Sequence, residues 1–229
     1  MRYLIWDFDG TLGYREGGWT GALLDVLKVN QIAGEVTAAD IRPHILTGFR
    51  WHDPKLTYPP ALPADAWWNE LTGLFTAAFS ATCQLPQDQA TELARQVRGQ
   101  YVRPDTWRLY DDSAQALDQL AAAGCHHILL SNHVPELPLL LSHLGIAHRF
   151  DHIVNSADTG FEKPHPQAYA RALALLPAGA DATMIGDNPT ADYAGAKTAG
   201  LKAILVRRFS AGLTPYFSTL DDLVREDGY

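Results

Sequence analysis

The chain has 229 residues, 47% of them hydrophobic and 19% charged, a composition that supports a packed globular core and excludes extended disorder. Its formal net charge of -8 argues against a broad surface for nucleic-acid polymers or acidic membranes. One metal ion and one lysine can still reverse the local field for a phosphorylated ligand. Cys83 and Cys125 lack metal-ligand spacing and read as buried thiols of a reducing compartment. The apolar run at the N-terminus is too short for a signal peptide or membrane span, so a soluble, cytoplasmic protein is expected.

In chain order, Tyr3 to Trp6 is a short apolar run that ends in Asp7-Phe8-Asp9-Gly10-Thr11, the pattern of a buried strand followed by a turn. Strand character returns at His127 to Leu130, Ile153-Val154, Ala182 to Ile185 and Ala203 to Val206. Helical patterns fall between them at Ser113 to Ala123, Leu137 to Leu144, Pro166 to Leu176 and Thr190 to Ala199, with Gly124, Gly145 and Gly200 as terminal glycines. Alternating strands and helices predict an α/β fold: a parallel sheet with helices on both faces and ligands beyond the carboxyl ends of its strands. Residues 14–102 differ. They read as helices at Trp19 to Val29, Ala38 to Leu46, Ala64 to Thr82 and Gln87 to Tyr101, with a proline-rich loop from Asp53-Pro54 to Pro63 and no convincing strand. An all-helical insertion after the first strand is the simplest account. The expected domains are 1–13 with 103–229 as the core and 14–102 as a helical cap.

Asp7 and Asp9 are two apart, so on extended backbone both side chains leave on one side. Such a pair can share a divalent cation or divide the work of nucleophile and proton carrier. An acidic surface turn is the plain alternative. Ser131-Asn132 after a strand also suits a helix N-cap, Lys163 before Pro164 a solvated lysine, and Asp187 and Asp192 the capping of the next helix.

Together these segments resemble the haloacid dehalogenase-like superfamily of hydrolases. Asp7-Phe8-Asp9-Gly10-Thr11-Leu12 is similar to its first motif, Ile128 to Asn132 to its second, Lys163-Pro164 to its third and Ile185 to Asp192 to its fourth. The resemblance implies a Rossmann-like core with a helical cap and a Mg²⁺-dependent phosphatase acting on a small phosphorylated metabolite. It assigns Asp7 as nucleophile and Asp9 as proton donor and then base. Mg²⁺ would lie between Asp7, the Asp9 carbonyl and Asp187. Ser131, Asn132 and Lys163 would hold the phosphoryl group, and Asp192 would orient Lys163 or the water around the metal. Asp9 argues for phosphate chemistry rather than dehalogenation, since a halide leaves without a proton. A phosphomutase and a catalytically retired binding module stay open as alternatives.

Outside the motifs, His133 reads as a substrate contact or an exposed loop residue. Arg15, Arg50 and His52 are candidate substrate contacts on the cap. Trp19, Trp51, Trp67 and Trp68 either stack on a nucleobase or sugar or form the core of the cap.

Overall fold

The computed structural model describes residues 1–32, 35–53 and 55–226; Pro54, in the proline-rich loop, and residues 227–229, at the end of the expected core, lie outside them. The six-stranded sheet contains β1 (Arg2–Trp6), β4 (Cys125–Ser131), β5 (His152–Asn155), β6 (Asp181–Gly186), β7 (Lys202–Val206) and β8 (Tyr216–Phe217). Their order is β5-β4-β1-β6-β7-β8, with every pairing parallel. Side-chain alternation splits these strands between two apolar layers. Leu4, Trp6, Leu129, Ile185, Ile204 and Val206 enter one layer. Tyr3, Ile5, Ile128, Leu130, Met184 and Leu205 enter the other. The near-continuous apolar runs seen in the sequence are therefore strands buried on both faces.

Helices α5 (Ser113–Ala122), α6 (Leu137–His143) and α10 (Leu220–Glu226) cover the first face. The opposite face is covered by α8 (Pro166–Leu173) and α9 (Gly195–Thr198), while the short α7 (Ser156–Thr159) follows β5. The helix expected over Thr190 to Ala199 opens instead as a π-helical turn, Pro189–Ala194, before α9. Such wide turns recur at functional sites, and this one carries Asp192.

Between β1 and β4 lie α1 (Gly18–Val29), α2 (Ala38–Ile41), α3 (Ala64–Cys83) and α4 (Gln87–Tyr101). In α4 the buried residues Ala90, Leu93, Ala94, Val97 and Tyr101 follow helical periodicity, and this stripe packs against α1 and α3. The apolar interior of the insertion is continuous with the first layer of the sheet.

Two further features depart from the expected elements. Tyr14 and Arg15, expected in an all-helical segment, belong to β2 (Gly13–Arg15), which pairs antiparallel with β3 (Trp107–Leu109) at the stem of the insertion. Three-residue strands whose partners lie so far apart in the chain leave no periodicity to read. Cys125 is buried as expected, whereas Cys83, at the end of α3, is half-buried.

Candidate active site

Asp7, Ser131 and Asp187 stand at the carboxyl ends of β1, β4 and β6, and the register of β1 against both neighbours brings them to one rim. Asp7 is buried, and its backbone N–H donates to the Ile185 carbonyl at 2.9 Å. Its Oδ1 accepts from Ser131 Oγ at 3.1 Å and from Lys163 Nζ at 2.8 Å, and Thr11 Oγ1 donates to Oδ2 at 3.4 Å. Thr11 belongs to the first motif, but its spacing carried no sign of this contact. Arg207 holds the same turn, donating to the Thr11 carbonyl at 2.6 Å while pairing with Asp112 at 2.6 Å.

Lys163 is buried and also donates to Asp192 Oδ1 at 2.6 Å. Burial alone would pull its pKa down, but the Asp192 and Asp7 carboxylates outweigh it and hold the ammonium well above the ordinary range. Lys163 is thus a fixed cation, not the solvated lysine of the plain reading. Asp192 Oδ2 accepts from the Asn188 N–H at 2.9 Å, so both oxygens of this carboxylate are engaged.

Asn132, expected on the phosphoryl group, spends its side chain on the backbone of Lys163. Its Nδ2 donates to the Lys163 carbonyl at 2.8 Å and its Oδ1 accepts from the Lys163 N–H at 2.7 Å. The peptide that carries the cation is thereby clamped to the end of β4. A second clamp comes from the insertion: Tyr58 Oη donates to Glu162 Oε1 at 2.5 Å, with the Ser156 carbonyl 3.2 Å away.

Carboxylate oxygens of Asp7, Asp187 and Asp192 lie within 4.8 Å of one another. Burial, followed by the charges of Asp7 and Asp192, pushes Asp187 up to about 8. Asp9 stands in the cavity above, accessible to small molecules yet ringed by protein, and this enclosure together with Asp7 pushes it up to about 7. Burial is the larger cause for both, and the neighbouring carboxylates add to it. Among the lining residues Lys163 is the single fixed cation set against Asp7, Asp9, Asp187 and Asp192. A hard divalent cation fits this all-oxygen donor set and would relieve the surplus. Gly10 keeps the ligand space open: its φ is +89°, and a Cβ there would come within 2.8 Å of the Asp187 carboxylate.

The cavity holds about 250 Å³; Trp19, Trp51 and Tyr101 from the insertion line it together with His133 and Val134. Trp67 and Trp68 are core residues, so the tryptophans of the insertion divide between both expected roles. His133 is buried rather than exposed, packed beside Phe8, Tyr101 and Trp107. Neither ring nitrogen has a hydrogen-bond partner, and burial pulls its pKa down to about 4, so the ring is neutral at pH 7.

Arg15, Arg50 and His52 do not reach the cavity. Arg15 pairs with Asp25 at 2.6 Å and donates to the carbonyls of Glu16, Gly18 and Gln100. Arg50 lies 3.6 Å over the Tyr58 ring and pairs with Glu70. His52 is exposed, with its Nδ1 accepting from the Phe49 N–H at 3.4 Å.

A parallel sheet with carboxylates at its carboxyl rim, and helices inserted after the first strand, defines a Rossmann-like α/β architecture. The family model for haloacid dehalogenase-like hydrolases matches residues 1–200. The chain belongs to that family, and it is an enzyme of the hydrolase class. A phosphoserine phosphatase from Thermus thermophilus is 36% identical over 129 residues, covering 55% of this chain and 51% of the relative, so that match spans about half of the relative's length. Haloacid dehalogenase-like hydrolase domain-containing protein 3 of Homo sapiens is 25% identical over 222 residues, covering 90% of this chain and 82% of the relative. The magnesium-bound HAD-hydrolase YfnB of Bacillus subtilis superposes with a TM-score of 0.69 at 18% identity, covering 98% of this chain and 97% of that one, a likeness of fold. No helix among the described residues is long and apolar enough to cross a membrane.

Proposed function

We propose that this protein is a Mg²⁺-dependent phosphatase that hydrolyses a small phosphomonoester through a phosphorylated Asp7. The observation that carries the reading is the convergence of Asp7, Lys163 and Asp187 beneath a cavity into which Asp9 projects. Mg²⁺, held by Asp7, Asp187 and the Asp9 carbonyl, would supply positive charge against the approaching phosphate. Names of relatives support the class: phosphoserine phosphatase and a ribulose-1,5-bisphosphate 5-phosphatase are among them.

In the first half-reaction an Asp7 carboxylate oxygen bonds to phosphorus as the ester oxygen leaves. Asp9, held near neutrality at about 7, delivers its proton to that oxygen, a transfer worth about 10²–10⁴ in rate. Lys163 and the Ser131 hydroxyl stabilise charge on the phosphoryl oxygens. In the second half-reaction Asp9 takes a proton from water, the water oxygen bonds to phosphorus, and phosphate leaves with Asp7 regenerated. The core, 1–13 with 103–229, would carry this chemistry. Residues 14–102 would act as the cap that excludes bulk water, with β2 and β3 as its stem.

The test is phosphate release from small phosphoesters with Mg²⁺ and with chelator, beside Asp7→Asn. Wild-type protein should release phosphate only with Mg²⁺, and Asp7→Asn should retain less than about 0.1% of the rate while melting as wild type does. Release by Asp7→Asn at more than a few per cent would remove Asp7 as nucleophile.

A further inference from the structure

We propose that the cavity selects phosphomonoesters whose leaving alcohol carries one flat, uncharged ring, and that it disfavours esters bearing a second anionic group. This rests on the phosphatase reading and names its substrate class.

The walls supplied by the insertion are aromatic. Trp19 is stacked on Tyr101 with centroids 3.8 Å apart and planes 15° apart, and Trp51 is stacked on Phe49 at 4.5 Å and 9°. Each wall is therefore a pair of rings that fixes the other in place. Trp6, Trp67, Trp68 and Trp107 are buried, whereas Trp19 and Trp51, the two tryptophans that line the cavity, remain half-buried. Aromatic faces carry negative quadrupole density, so they attract apolar and ring surface and repel an anion laid against them.

No cation faces the leaving group from the insertion among the described residues that line the cavity. Lys163 sits on the phosphoryl side, engaged by Asp7 and Asp192. Arg15, paired with Asp25, and Arg50, paired with Glu70, lie outside the lining, and Arg208 acts on Asp187 from an exposed position on the core side. A carboxylate or second phosphate on the leaving group would thus stand near Asp9 with no partner, at a steep desolvation cost.

Tyr101, Asn188 and His133 are the uncharged polar residues left in the lining. The His133 ring nitrogens are buried without a hydrogen-bond partner, and a neutral imidazole offers one donor and one acceptor. Size sets the remaining limit. A cavity of about 250 Å³ falls below the range of about 300–1,000 Å³ usual for drug-sized ligands, which suits a phosphoryl group and one ring.

The experiment compares kcat/KM, with Mg²⁺, for phenyl phosphate, phosphoserine, phosphoglycolate and a purine nucleoside 5′-monophosphate. Phenyl phosphate should exceed both carboxylate-bearing esters by at least about 100-fold and the nucleotide by a smaller factor. Trp51→Ala should cut the preference for phenyl phosphate about tenfold, mainly through KM, as loss of an aromatic stacking surface does. Phosphoserine or phosphoglycolate turned over as well as phenyl phosphate would overturn the proposal and leave the phosphatase reading intact. A nucleotide that outruns phenyl phosphate would overturn the single-ring limit. Absence of release from every ester would remove the phosphatase reading. Ligand binding to the Asp7→Asn protein, followed by tryptophan fluorescence, tests the cavity independently of turnover. Phenyl phosphate binding at least tenfold tighter than phosphoglycolate is expected there, and equal binding would overturn the proposal.

Discussion

Lys163 Nζ lies 2.8 Å from Asp7 Oδ1, although the two residues are 156 positions apart in the chain. The contact joins the segment after α7 to the end of β1, and it is buried on both sides. Its charge balance sets what happens when either partner is changed.

Lys163→Met leaves Asp7 and Asp192 buried without their cation. Breaking a buried pair from one side costs about 3–5 kcal/mol. Denaturant unfolding of metal-free protein should show a loss of that order. Turnover with Mg²⁺ should fall at least about 100-fold, since charge on the phosphoryl oxygens loses its lysine.

Asp187→Asn acts in the opposite direction on stability. It removes one carboxylate from a cluster whose oxygens lie within 4.8 Å of one another. In chelator the variant should melt above wild type, by about 2–4 °C for each kcal/mol of repulsion relieved. Mg²⁺ should raise the wild-type Tm and leave that of the variant nearly unchanged. A variant that melts below wild type in chelator would contradict the charge surplus.

His133 sets a pH dependence. Its pKa falls from 6.5 in the unfolded chain to about 4 in the folded protein. Between those values the unfolded chain binds the extra proton, so stability is lost as pH drops from 6.5 towards 4. The share assignable to this ring is about 3 kcal/mol. Unfolding free energies of wild type and His133→Gln, followed across that window, should converge as the pH falls. Parallel curves would mean that the imidazole is protonated in the folded state.

Asn132→Ala separates a clamp from a phosphate ligand. The side chain touches the Lys163 peptide at 2.8 and 2.7 Å. Its loss should therefore lower kcat about tenfold through a misplaced lysine, with KM within about twofold, and destabilise the fold by about 1–2 kcal/mol. A large rise in KM with kcat preserved would return Asn132 to the phosphoryl group.

Much of this architecture was legible in the residues themselves. The strands β1, β4, β6 and β7 announce themselves as apolar runs because both faces of each are buried, and the polar residues that end them mark the reactive rim. Asp7, Ser131, Lys163, Asp187 and Asp192 stand in motifs whose order along the chain follows the strands, and the structure brings them together. What tertiary structure alone decided is the fate of groups whose partners come from distant segments. The β2–β3 stem pairs residues more than 90 positions apart, so no local period could reveal it. Asn132 could be seen as a polar residue after a strand, but only the approach of the Lys163 backbone turns it into a clamp. Likewise Trp19 and Trp51 share helical or turn contexts with Trp67 and Trp68, and packing of α1, α3 and α4 decides which pair stays open to the cavity. Sequence determines which chemistry the chain can carry, because strand ends and motif spacing are local. Burial, charge balance and the shape of the cavity arise from long-range packing, and they decide what that chemistry can reach.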